Sequence, residues 1–152
     1  MIQKQDGQNP YSLHLTNLWT WEKIIRYKNC INSAVTKYAK KFPDDVCLHT
    51  MAREIAMGQT QLWVILKNNI KFTAFVITKI EVTHTGKKRV IILDLAGEGG
   101  VKLVKLIEQI EEWARAINAD EMLMLGRSGW AKALAHHGYS RNSIHYRKVL
   151  VA

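Results

Sequence analysis

The sequence predicts an α+β fold, an α/β sandwich in which helices flank a mixed central sheet. Three observations predict it. A chain of 152 residues, 47% of them apolar, suffices for one domain with its own core and is short for two. The apolar period is about 3.6 residues before Gly58 and about 2 after it. The elements that follow then alternate, so the order is N-terminal helices followed by β-β-β-α-β-α-β.

Residues 1–16 read as an N-terminal arm or first strand, and 17–152 as the single domain. Leu18, Trp21, Ile24 and Ile25 share a helical face between Leu18 and Tyr27, and Ala34, Val35, Tyr38 and Ala39 repeat it from Asn32 to Phe42, where Pro43 stops the pattern. Asp44 and Asp45 suit an N-cap and first turn, and Gly58 a left-handed residue just past a helix end, which predicts a third helix over Asp44–Met57. Leu62–Lys67 is then a strand, Asn68-Asn69 a turn tolerant of positive φ, and Ile70–Val82 the second arm of a hairpin. In that arm Ala74, Val76, Thr78, Ile80 and Val82 take one face, and Thr73, Phe75, Ile77, Lys79 and Glu81 the other.

His84–Lys87 turns the chain into a strand over Arg89–Leu95, which the run Ala96-Gly97-Glu98-Gly99-Gly100 breaks. The next helix, Val101–Ile117, has an apolar face of Leu103, Leu106, Ile107, Ile110, Trp113, Ala114 and Ile117 and a charged opposite face. Glu121–Leu125 is a short strand, and Ser128 is an N-cap for a short helix, Gly129–His136, closed by Gly138. Ser143–Val151 alternates as a terminal strand, with Ile144, Tyr146, Lys148 and Leu150 against His145, Arg147, Val149 and Val151.

The net charge of +9 divides into +3 for each of the segments 1–58, 59–100 and 101–152. A nucleic-acid arm would show a cluster or stripe, so the charge reads as a general surface property with a diffuse, non-specific attraction to polyanions. No stretch approaches the ~18 to 20 apolar residues of a membrane span, and the polar Met1–Pro10 lacks a signal-peptide core, so neither secretion nor membrane contact is expected. Cys30 and Cys47 lack CxxC or Cys/His spacing and read as reduced thiols behaving as small buried hydrophobes. The six histidines show no metal-ligand spacing, and no GxSxG elbow occurs, which disfavours metal and nucleophilic-hydrolase chemistry.

A hairpin, a glycine break after the next strand, a long amphipathic helix, a strand and a short helix ending at Gly138-Tyr139 together resemble the GNAT acyltransferases from Leu18 onward. Gly58-Gln59-Thr60-Gln61-Leu62-Trp63, Leu95-Ala96-Gly97, Ile110–Ala116 and Gly126-Arg127-Ser128-Gly129-Trp130 further resemble small GNAT-like proteins of tailed bacteriophages. The resemblance implies a strand splaying from its neighbour and a loop whose backbone N–H groups face the pyrophosphate of coenzyme A, which places Gly97, Gly99, Gly100 and Val101 at the cofactor. Amides at a helix start suit an anion.

Two positions depart from the family's pattern. Glu98 puts a negative charge in the loop that should attract pyrophosphate, and Leu134 stands four residues before Gly138, where the family carries a proton-donating Tyr. Asp94 and Glu81 are the candidate general bases, and Arg127 beside Trp130 is a candidate anion site through its planar guanidinium. The expectation is therefore a GNAT-fold phage protein with a degenerate acyl-CoA site and no cofactor. It would act on protein partners of the virion or host, in the host cytoplasm and in the particle. The alternative is an active N-acyltransferase using acetyl-CoA.

Overall fold

The computed structural model describes residues 9–98, 100–126 and 130–151. Five strands form one sheet in the order β1 (Tyr11–Leu15), β2 (Thr60–Lys67), β3 (Lys71–Val82), β4 (Lys88–Gly97) and β5 (Glu121–Met124). The first three pairings are antiparallel, and β4 with β5 is parallel. The hairpin turn is the expected one, with Asn68 and Asn69 at φ 52° and 58°. The parallel pair needs a crossover, and the helix between β4 and β5 supplies it.

Helices α1 (Trp21–Lys41) and α2 (Leu48–Ala56) cover one face of the sheet. The two helices expected before Pro43 are one. Ile31 links Tyr27 to Val35 along the buried face, and Lys28-Asn29-Cys30 contains nothing that breaks a helix. Thr20 caps α1 by accepting the Lys23 N–H at 3.3 Å. The next helix begins later than expected, because the Phe42 carbonyl accepts from both Asp45 and Val46 and closes a turn that does not continue. Cys47, not Asp44, is the N-cap of α2, and the helix ends in a Schellman motif with Gly58 at φ 74°.

The other face carries α3 (Ile107–Ala116) and α4 (Ala131–His136). The long helix expected over Val101–Ile117 is a 3-10 helix over Gly100–Leu106 that passes into α3. Leu103 and Leu106, and Val104 and Ile107, are all buried. A three-residue period stacks those i, i+3 pairs toward the sheet, which explains the tighter coil. The two predicted faces of β3 are observed. Ala74 and Val76 pack under α3 with Val90, Ile92 and Ile110, while Phe75 and Ile77 pack under α1 and α2 with Val35 and Met51. Trp63 is buried, donates to Thr78 Oγ1 at 2.9 Å and meets Trp113 edge-on at 5.2 Å.

The expected terminal strand does not form: residues 143–151 pair with no strand among the described residues and are exposed throughout. Cys30 and Cys47 are free and exposed rather than buried.

Candidate functional site

β4 and β5 run together from Arg89–Glu121 to Ile92–Met124, with one further bond from the Leu125 N–H to the Ile92 carbonyl at 3.1 Å. Beyond Ile92, the residues Leu93–Gly97 follow β3 alone among the described residues, so the ladder between β4 and β5 opens there. The opening starts at a bulge: Thr78 faces Ile92 and Ile77 faces Asp94, leaving Leu93 as the extra residue. A bulge increases the local twist and re-aims the side chains that follow it. Leu93 thus joins the core under α1 and α2, and Asp94 is turned to the same side, where Tyr38 of α1 donates its O–H to Asp94 Oδ1 at 2.7 Å.

Burial holds the Asp94 carboxyl above the ordinary aspartate range, the charge of Asp45 pushes the same way, and the Tyr38 hydrogen bond opposes both. Of the two sequence-predicted bases, this half-buried carboxyl is the one that lies just past the last β4–β5 pair. Glu81 lies elsewhere. It pairs with Arg89 at 3.3 Å, and Arg89 also reaches Glu121 at 3.4 Å, at the end of the sheet away from the opening. That is about 15 Å along β4 from Asp94 at strand rise.

Gly97 has a packing reason to be glycine. Its φ is 140°, and a Cβ there would lie 2.4 Å from the Thr73 carbonyl oxygen and 2.5 Å from Ala74 Cα. Thr73 is itself the extra residue of a bulge between β2 and β3, and its carbonyl accepts the Glu98 N–H at 3.0 Å. The Glu98 amide is therefore engaged inside the fold. Gly100 and Val101 start the 3-10 helix at the open end of β4. Gly99 and Arg127 lie outside the described residues.

Trp130 precedes α4 and, with Leu95, Met124, Ala133 and Leu134, packs half-buried on the α3-side core. A Cβ built on Gly126 would meet Leu134 Cδ1 at 3.5 Å and Met124 Cγ at 3.9 Å, which sets the Leu134 side chain over the exit of β5. Leu134 thus presents hydrocarbon at the end of β5. The next hydroxyl, Tyr139, donates to Glu111 Oε1 at 2.8 Å, and burial together with that carboxylate holds its proton more tightly than an ordinary tyrosine does.

Sequence reasoning missed Tyr38 and Asp45, whose only signal was an apolar helix face and a turn. It also missed Ser12, whose hydroxyl lies 2.8 Å from His14 Nε2 and 2.8 Å from Asn69 Oδ1, tying the edge strand to the β2–β3 turn. Among the described residues no group of three His, Cys, Asp or Glu side chains is placed to hold a metal ion, and no helix is long and apolar enough to cross a membrane. His137 instead lies 3.2 Å from Glu108.

No protein-family model and no curated protein sequence matches the chain. Solved structures do match. Glucosamine-6-phosphate N-acetyltransferase from Arabidopsis thaliana is 14% identical, with a TM-score of 0.64 over 94% of this chain and all of that one (100%). A probable acetyltransferase is 10% identical, with a TM-score of 0.65 over 93% of this chain and 97% of that one. A putative acetyl transferase from Pyrococcus furiosus is 16% identical, with a TM-score of 0.59 over 92% and 99%. The chain has the fold of the GNAT acetyltransferases. At such identities the likeness is one of fold, and function has to be argued from the site.

Proposed function

We propose that this chain is a GNAT-fold protein of a tailed bacteriophage whose acyl-CoA cleft has lost its proton donor, and that it acts by binding, as a virion or assembly component. The observation that carries the reading is Leu134, packed over the end of β5 where a leaving thiolate would need an acid. Glu98, beside the glycine break, adds a charge of the wrong sign for a pyrophosphate. The phage assignment rests on the four sequence motifs, which occur in order along the chain. Quantitative mass spectrometry of purified particles should find the chain at a fixed copy number. Its absence from particles would contradict the virion role.

One observation favours a second reading, an active N-acyltransferase that uses acetyl-CoA. Asp94 has what a general base needs: partial burial, a raised pKa and a position on the splayed strand. On that reading the base would take a proton from an amine, whose nitrogen attacks the thioester carbonyl and expels the coenzyme A thiolate. Release of free thiol from acetyl-CoA, abolished in Asp94→Asn with the fold intact, would establish it over the first.

A further inference from the structure

The charge that is even along the sequence is uneven in the fold. Helix α1 carries six basic residues against one acidic residue, Glu22, a net +5 of the chain's +9. Arg26, Lys28, Lys37, Lys40 and Lys41 are exposed, and no ion pair among the described residues involves any of the six. The same helix also shows hydrocarbon to solvent. Trp21 is 74% and Ile25 57% exposed, and Leu18, three residues before the helix, is 80% exposed. Trp21 is the one exposed tryptophan, since Trp63 is buried and Trp19, Trp113 and Trp130 are half-buried.

Trp21, Ile25 and Lys28 follow at steps of four and three along one strip of the helix, and Arg26, Lys37 and Lys40 lie along the strip beside it. We infer that the outer face of α1 binds an anionic lipid surface, with Leu18, Trp21 and Ile25 at the edge of the hydrocarbon and the basic side chains on the headgroups. Helices that lie in a membrane interface combine Trp and Leu with Lys and Arg in this way. Such a helix lies on the surface without spanning it. The buried face of α1, with Tyr27 and Val35, stays on the sheet, so binding needs no unfolding. Nucleic acid would meet the charges but leave the aliphatic Leu18 and Ile25 in water. A second copy would set +5 against +5. An anionic lipid layer suits both features at once, because its charged headgroups overlie hydrocarbon. This contact goes beyond the proposed function and needs neither acyl-CoA nor a catalytic residue.

In dilute salt the full chain should float with vesicles of phosphatidylcholine and phosphatidylglycerol and stay behind with vesicles of phosphatidylcholine alone. Lys37→Gln with Lys40→Gln should weaken binding about 25-fold, at about fivefold for each charge removed. Trp21→Glu should abolish flotation with an unchanged circular dichroism spectrum, since an acidic residue suits the first turn of a helix. Trp21→Phe should still float. It should lose most of the fluorescence quenching that brominated phosphatidylcholine in the anionic vesicles produces in the wild type. No flotation with anionic vesicles, equal flotation with neutral ones, binding indifferent to the two lysines or to Trp21→Glu, or quenching that survives Trp21→Phe would overturn the inference. So would a dimer dispersed by Trp21→Glu, which gives the face to a second copy. Single-stranded DNA that binds more tightly than the vesicles and is lost with Trp21→Glu would likewise overturn it and give the face to nucleic acid.

Discussion

At Asp94, burial and the charge of Asp45 disfavour ionisation while the Tyr38 hydroxyl favours it, and burial prevails. Its pKa in the fold lies above the unfolded value, so the stability it contributes is complete below the unfolded pKa and is lost as pH rises through the folded one. Asp94→Asn should therefore raise Tm at neutral pH and leave it unchanged in acid, in thermal melts followed across that range. Cys47 shows the opposite direction. The Thr50 backbone N–H and side chain bond its sulfur and lower the thiol's pKa, so Cys47 should alkylate faster than Cys30, read by mass spectrometry of the two peptides. Asp94 was legible as a carboxyl on a strand. Its partnership with Tyr38, 56 residues away, was not, because only the Leu93 bulge turns the two toward each other.

The C-terminal ends of the helices were the most legible boundaries, since local chemistry fixes them. Gly58 and Gly138 sit at positive φ just past α2 and α4, and Asn118 does the same for α3 at φ 61°. The α3 face was readable as a 3.6-residue stripe, and its central residue, Ile110, is 1% exposed. Ile110→Ala should destabilise by about 2 to 5 kcal/mol in urea titrations, the usual range for emptying a core site. The glycine break was legible as a break but not as packing. Gly97→Ala should cost more than about 1 kcal/mol, because an added Cβ meets the β3 backbone and alanine tolerates that φ poorly. The terminal segment was misread for a physical reason: alternation reports what a segment can pair with, and the folded body leaves that pairing unmade within the chain.

At the scale of the molecule, the two-layered packing around an opened sheet agrees with the order of elements read from the sequence, and the solved acetyltransferases share it. The charge of +9 acts at this scale too. Spread evenly, it should give polyanion binding with no sequence preference that fades between about 50 and 200 mM salt, measurable by fluorescence anisotropy with unrelated DNA duplexes. Whether the fold keeps a working acyl-CoA site is read by isothermal titration of the chain with acetyl-CoA. A degenerate site gives no saturable binding at micromolar ligand, for the wild type and for Gly99→Leu alike. Micromolar binding by the wild type that disappears in Gly99→Leu would contradict it.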